Sequence, residues 1–316
     1  MFLTTVRNSL RVYPWKSARA TNSIRGLRLR DGEMIVAALL VFIGLTAHSQ
    51  TIVRLDSSYV PSLGRIMKSV VFLPAGYDST RQYPVLYLLH GLWGSYTDWR
   101  SRTRLSTYAA GCSLIIVMPD GENSWYVNAL NDPRGRFEDY IVHDLPAAIA
   151  RSYRIDTARA AIAGLSMGGY GALMLAMRHP ERYVFAGGLS SYITVPVEIP
   201  AGPKRTATAI VHESLPRVFG PDSTSFYPDR DLFELYRRTS PERLPYLYFA
   251  AGIEDGYSQL LSAHRELTDS LRGRSIAYEY HELPGRHSWE FWDREIQPLL
   301  RRLIEIQHDY RDTPKR

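Results

Sequence analysis

One stretch limits what this chain can fold into: Arg159-Ala-Ala-Ile-Ala-Gly-Leu-Ser-Met-Gly-Gly-Tyr-Gly-Ala-Leu-Met-Leu-Ala-Met-Arg-His-Pro180. Its small apolar start reads as a buried strand. Ala172, Leu173, Leu175 and Ala176 fit a helix that stops before Pro180. Between them Ser166 stands in the pattern Gly164-x-Ser166-x-Gly168. Strand, sharp turn and helix are what a nucleophile elbow needs, with a serine hydroxyl projecting from the top of a sheet. The glycines keep the turn free of side chains, and the helix N-terminus favours negative charge near Ser166. A lone pattern of this kind arises by chance in roughly one chain in ten of this length, so the reading needs partners.

The rest of the chain supplies a frame for that turn. Residues 51–59 and 65–73 read as antiparallel strands. Pro84 to His90 and Leu114 to Met118 are continuous apolar runs, as in parallel strands buried on both faces. Further strands are expected at 183–190, at Leu244 to Ala251 and at Ser275 to Leu283. Helical spacing marks 98–110, 136–153, 257–272 and 288–308. The alternation predicts one doubly wound α/β domain over residues 50–316, a mostly parallel central sheet with helices on both faces. The irregular segment at about 192–243, rich in proline, glycine and aromatics, is expected to be an insertion over the end of the sheet that holds Ser166.

A serine nucleophile needs a base, an orienting acid and an oxyanion hole. On α/β-hydrolase folds acid and base follow the serine in the chain. The later histidines are His179, His212, His264, His281, His287 and His308. His179 and His264 fall in helical patterns, His281 in a strand, His212 in the insertion and His308 in the closing helix. Only His287 directly follows the last strand, at the end where open α/β sheets bind ligands. The acid should end the preceding strand, where Glu254 and Asp255 compete; Asp255 would also serve as a helix cap. The oxyanion donors expected are the amides of Met167, after the serine, and Leu92, in the loop His90-Gly-Leu-Trp-Gly94. His90 reads as a residue that shapes this loop by hydrogen bonding. Trp93, Trp125, Tyr126 and Tyr192 are candidate walls of the substrate pocket, equally able to be core. No His, Cys and Asp grouping has metal-ligand spacing and no phosphate-cradling loop is visible, so neither a metal nor a cofactor is expected.

The net charge of +6 invites a nucleic-acid reading, but its location argues against one. Residues 1–33 hold seven basic and two acidic side chains, leaving 31 basic against 30 acidic elsewhere. A nearly neutral body has no stripe for a phosphate backbone. Met34 to Ala47 is an uncharged apolar run of fourteen residues, short for a membrane span and suited to a signal-peptide core. Residues 1–49 therefore read as a basic leader with a signal peptide at about 34–49. The expectation is a periplasmic or extracellular protein with no stable membrane insertion after cleavage. Cys112, the only cysteine, excludes an internal disulfide and reads as a buried inert thiol in a central strand.

Taken together, Tyr87-Leu-Leu-His-Gly-Leu-Trp-Gly94 with Trp99, Gly164-Leu-Ser-Met-Gly-Gly-Tyr-Gly171, Gly252-Ile-Glu-Asp255 and Gly285-Arg-His-Ser-Trp-Glu-Phe-Trp292 resemble the putative esterase family of α/β-hydrolases. That family includes esterase D and S-formylglutathione hydrolases, tributyrin esterases, feruloyl and acetyl xylan esterases, and mycolyltransferases. The resemblance covers about residues 60–305. It selects Asp255 over Glu254 and implies Ser166 as nucleophile, His287 as base, and Leu92 and Met167 as oxyanion donors. Asn123 to Asn128 is most similar to the tributyrin-esterase branch, where such residues border the acyl pocket. The implied activity is a serine carboxylesterase acting through an acyl-enzyme on short acyl esters, acetyl or feruloyl groups on carbohydrates among them. An acyltransferase of the mycolyltransferase type, a thioesterase like the S-formylglutathione hydrolases and a non-catalytic binding module are the alternatives. The implied partner is a small-molecule or carbohydrate ester, with a homo-oligomer left open.

Overall fold

The computed structural model describes residues 50–130, 132–194, 215–220 and 227–312. They fall within one compact unit, Ala47–Arg316. The leader, residues 1–49, lies outside the described residues, as do 195–214 and 221–226 of the insertion. The strands are β1 (Ile52–Val60), β2 (Arg65–Leu73), β3 (Tyr83–Leu89), β4 (Ile115–Pro119), β5 (Ile155–Leu165), β6 (Phe185–Leu189), β7 (Tyr246–Gly252) and β8 (Tyr278–Leu283). They form one sheet in the order β1-β2-β4-β3-β5-β6-β7-β8. The β1–β2 and β2–β4 pairs are antiparallel and every other pair is parallel. This is the α/β-hydrolase architecture that the strand pattern predicts.

Strands β3, β4, β6 and β7 are apolar because both faces are covered, whereas the edge strands β1 and β8 carry polar side chains. On β3, Val85, Tyr87 and Leu89 join one apolar layer while Leu86 and Leu88 join the other. The helices are α1 (Asp98–Arg102), α2 (Leu105–Ala109), α3 (Phe137–Asp139), α4 (Leu145–Ser152), α5 (Met167–Arg178), α6 (described at 215–219), α7 (Leu232–Arg238), α8 (Ser258–Arg272) and α9 (Trp289–Asp312). Residues of α3, α4, α5, α7 and α8 pack on the first layer, and residues of α1, α2 and α9 on the second. No helix among the described residues is long and apolar enough to cross a membrane.

Four local expectations change. The stretch 98–110 is two short helices, interrupted where the Arg104 amide turns outward to Asp293 Oδ1 at 2.7 Å. The helix over 136–153 contains a π-helical turn, Tyr140–Asp144, in which the Leu145 N–H reaches the Tyr140 carbonyl. Pro146 has no amide to offer the Val142 carbonyl, which favours the wider winding just before it. The insertion is not irregular throughout. Asp231 caps α7, accepting from the Phe233 amide at 2.8 Å, and Leu232, Leu235 and Tyr236 bury its inner face. Cys112 lies in the turn before β4 rather than within a strand, half-buried, and burial pushes its thiol pKa up.

Glu138 on α3 ties this layer together. It is 3% exposed, and its carboxylate accepts from Arg178 Nε at 2.7 Å, His179 Nε2 at 2.8 Å and Arg230 Nη1 at 2.5 Å. Burial alone would raise its pKa, but the His179 hydrogen bond and the Arg230 and Arg178 groups bring it to about 2, below the ordinary 4.5. Its contribution is therefore present above pH 4.5 and is lost as pH falls toward about 2. Glu138→Gln is expected to cost about 3–5 kcal/mol in denaturant titrations at pH 7. The gap to the unsubstituted protein should narrow on acidification toward pH 2; a gap independent of pH would contradict this assignment.

Candidate active site

Ser166 closes β5 and opens α5 with φ +51° and ψ −116°, a conformation that L side chains rarely adopt. Such strain costs on the order of 1–3 kcal/mol and persists only where neighbours hold it. Here the Ser166 amide donates to the Leu189 carbonyl at 2.9 Å, and the Ser166 carbonyl accepts from Tyr170 at 3.0 Å. The two motif glycines are required by space. A Cβ on Gly164 would stand 2.4 Å from the Gly168 carbonyl oxygen, and one on Gly168 would stand 2.5 Å from that of His90. Met167 is the first residue of α5, so its amide is among the first-turn donors with no intrahelical acceptor.

Three strand ends bring three side chains into one line. His287 Nε2 lies 3.0 Å from Ser166 Oγ, and His287 Nδ1 lies 2.8 Å from Asp255 Oδ2. A carboxylate only accepts, so Nδ1 carries the proton and Nε2 is left to accept from the serine hydroxyl. The Asp255 side chain is 2% exposed. Its second oxygen, Oδ1, accepts from the Tyr257 amide at 3.1 Å, which closes a local turn ahead of α8 in place of the helix cap expected, since the residue at the N-cap of α8 is Tyr257. The competitor Glu254 is exposed. The acid and base turns are stitched together through the Ile253 amide to the Leu283 carbonyl at 2.9 Å and the Glu254 amide to the Gly285 carbonyl at 3.0 Å. Edge-on contacts from Tyr257 at 4.8 Å and Trp292 at 5.0 Å confine the imidazole. The other described histidines that follow Ser166 lie elsewhere: His179 on Glu138, His264 buried on the Leu260 carbonyl, His281 beside Glu279, and His308 on the exposed side of α9. His212 lies outside the described residues.

The loop after β3 runs past Ser166. His90 is 1% exposed and shapes this loop: Nδ1 donates to the Gly91 carbonyl and Nε2 accepts from the Gly121 amide, each at 2.8 Å. Leu92, Trp93 and Ser166 line one cavity of about 240 Å³. Trp125 and Tyr192 line it as expected, whereas Tyr126 does not. Tyr126 is fully buried, and its hydroxyl donates to the His90 carbonyl at 3.0 Å beneath the loop. Its role as a pocket wall is thus replaced by one of support. Tyr257, Trp289 and Trp292 complete the aromatic lining, with Asp98 and Arg102 at the rim. Trp289 and Trp292 were legible as the i and i+3 positions of the helix that follows His287. Tyr257 carried no comparable signal. Burial pushes the Tyr192 hydroxyl up to about 12 and raises that of Tyr257, so both stay protonated at neutral pH. No group of three His, Cys, Asp or Glu side chains among the described residues could hold a metal ion.

Known proteins resemble this chain in sequence and in fold. The family model described as Putative esterase matches residues 60–303. An acetyl esterase of Caldicellulosiruptor saccharolyticus is 30% identical over 216 residues, covering 67% of this chain and 79% of that protein. A diacylglycerol acyltransferase/mycolyltransferase of Mycobacterium gordonae is 30% identical over 178 residues, or 51% of each chain, so this chain spans about half of that relative. Among solved structures, fluorophosphonate-binding serine hydrolase F of Staphylococcus aureus has a TM-score of 0.69 at 22% identity, covering 81% of this chain and 99% of that one. At that identity the likeness bears on the fold alone.

The two oxygens of Asp255 allow a clean test. Asp255→Asn keeps an acceptor for the Tyr257 amide but offers an N–H₂ group to His287, which favours the wrong tautomer. Phosphonylation of Ser166 by a fluorophosphonate is expected to slow by about 10⁴-fold, with the melting temperature nearly unchanged. Labelling at the unsubstituted rate would mean that Asp255 does not orient the imidazole.

Proposed function

The chain belongs to the putative esterase family, and from its cleavage of carboxylic esters as a serine hydrolase we propose a short-acyl, acetyl-preferring carboxylesterase that works through an acyl-enzyme. The observation that carries this reading is the unbroken line Asp255–His287–Ser166 under a small aromatic cavity. In the proposed mechanism, His287 Nε2 takes the hydroxyl proton as Ser166 Oγ attacks the ester carbonyl carbon. Asp255 holds Nδ1–H and stabilises the imidazolium. The amides of Met167 and Leu92 receive the oxyanion, each worth about 3 kcal/mol in the transition state. The proton on Nε2 then passes to the departing alcohol oxygen, and water repeats the sequence on the acyl-enzyme.

Cavity size supports a short acyl group. About 240 Å³ is below the roughly 300–1,000 Å³ of sites that enclose drug-sized ligands. Its aromatic walls leave little room for a long chain, which disfavours a mycolyltransferase-like reading. They also favour acetyl over feruloyl groups as the better substrate. The acetyl esterase relative points the same way. The apolar run Met34 to Ala47 supports export to the periplasm or beyond.

Ser166→Ala is expected to abolish p-nitrophenyl acetate hydrolysis, by about 10⁶-fold in kcat, while the fold survives. Across acetyl, butyryl and feruloyl esters, kcat/KM should fall in that order. Turnover that survives the substitution, or a preference for feruloyl esters, would overturn the reading. Product analysis with competing alcohols should show the free acid; transfer to the alcohol as the main outcome would make the protein an acyltransferase.

A further inference from the structure

We propose that Asn123 is a positioning residue of this reaction: its side-chain carbonyl locks the turn that presents the Leu92 amide to the oxyanion. The inference rests on Leu92 being an oxyanion donor, as assigned above.

The loop after β3 makes a tight turn, Gly91 to Gly94, closed by the Gly94 amide on the Gly91 carbonyl at 3.0 Å. Trp93 is the third residue of that turn and has φ +58°. A type II turn takes positive φ at this position and ordinarily places glycine there. A bulky indole in the left-handed region stays there only if its surroundings over-determine it. Asn123 Oδ1 accepts from the Trp93 amide at 2.7 Å. Only the oxygen of a carboxamide accepts from an N–H, so the orientation of the Asn123 group is forced.

The peptide planes show what this bond controls. The Leu92 amide shares a plane with the Gly91 carbonyl, which His90 Nδ1–H and the Gly94 amide both hold. The Leu92 carbonyl shares the next plane with the Trp93 amide, which Asn123 holds. That second plane is the central peptide of the turn, whose flip distinguishes type I from type II. Leu92 therefore sits between two peptides that are each tied by a side chain. Trp93 is 57% exposed, and water would satisfy its amide if Asn123 were absent. The bond thus supplies position rather than rescue of a buried donor.

Asn123 is itself fixed. The Gly121 amide donates to His90 Nε2 at 2.8 Å, the Ser124 hydroxyl to the Gly121 carbonyl at 2.6 Å, and the Tyr126 hydroxyl to the His90 carbonyl at 3.0 Å. Glu122, Trp125 and Tyr126 all have positive φ, so this short segment is strained on both sides of Asn123. The same segment carries Trp125, a wall of the cavity. Cavity wall and oxyanion loop are held by one brace.

The experiment measures p-nitrophenyl acetate kinetics and melting temperatures for Asn123→Ala and Asn123→Asp, with Asn123→Ala repeated in a Trp93→Gly background. Asn123→Ala is expected to lower kcat by about 10- to 100-fold with KM within about twofold. Asn123→Asp keeps an acceptor oxygen and should stay within about fivefold of the unsubstituted rate. Glycine at position 93 adopts positive φ without strain, so in that background the loss of Asn123 should cost less than about threefold. An undiminished kcat in Asn123→Ala, a change in KM alone, or the same loss in both backgrounds overturns the inference. If turnover instead survives Ser166→Ala, the underlying reading of the site falls with it.

Discussion

An imidazole can accept a serine proton only while its other nitrogen is held as a donor, so the site depends on the 2.8 Å bond between Asp255 and His287. Most of the fold is arranged to make that bond. Its partners lie 32 residues apart in the chain, and His287 is 121 residues from Ser166. No local propensity spans those distances. The parallel register of β5, β6, β7 and β8 does, because it brings their carboxyl ends to one edge of the sheet. Backbone bonds at and beyond those ends then remove the remaining freedom, as between Glu254 and Gly285 or Ser190 and Ala250.

Strain is concentrated around the same edge. Ser166, Trp93, Trp125 and Tyr126 all have positive φ without being glycine. Three of them are held by named neighbours: Leu189 and Tyr170 for Ser166, Asn123 for Trp93, Ser124 and the His90 carbonyl for Tyr126. Buried polar groups are committed to this support. His90 is spent on the Gly91 carbonyl of the loop and the Gly121 amide after β4, and Glu138 on Arg178, His179 and Arg230. Aromatic edges do the rest: Trp99, Trp289 and Trp292 contact one another in series and end on the His287 ring.

Much of this was legible in the sequence because the relevant signals are local. The strand–glycine–serine–glycine–helix pattern encodes the elbow, and a histidine directly after the last strand can only lie at the sheet's carboxyl edge. The choice of Asp255 over Glu254 was not local: both follow β7, and only folding buries one and exposes the other. Tyr126 misled for a similar reason, since an aromatic beside Trp125 looks like a second wall until the left-handed backbone turns it under the loop. Asn123 gave no sign of its bond to Trp93, thirty residues away. The π-helical turn and α7 were within reach, through Pro146 and through Asp231 followed by Leu232, Leu235 and Tyr236.

The claim that joins these features is that Ser166 becomes transiently acylated. Rapid quenching of the enzyme with p-nitrophenyl acetate, followed by peptide mass analysis, tests it directly. An acetyl group on the peptide carrying Ser166, formed together with a burst of one p-nitrophenol per chain and absent in His287→Ala, is the predicted result. Steady turnover with no burst and no acetyl group on that peptide would contradict the account.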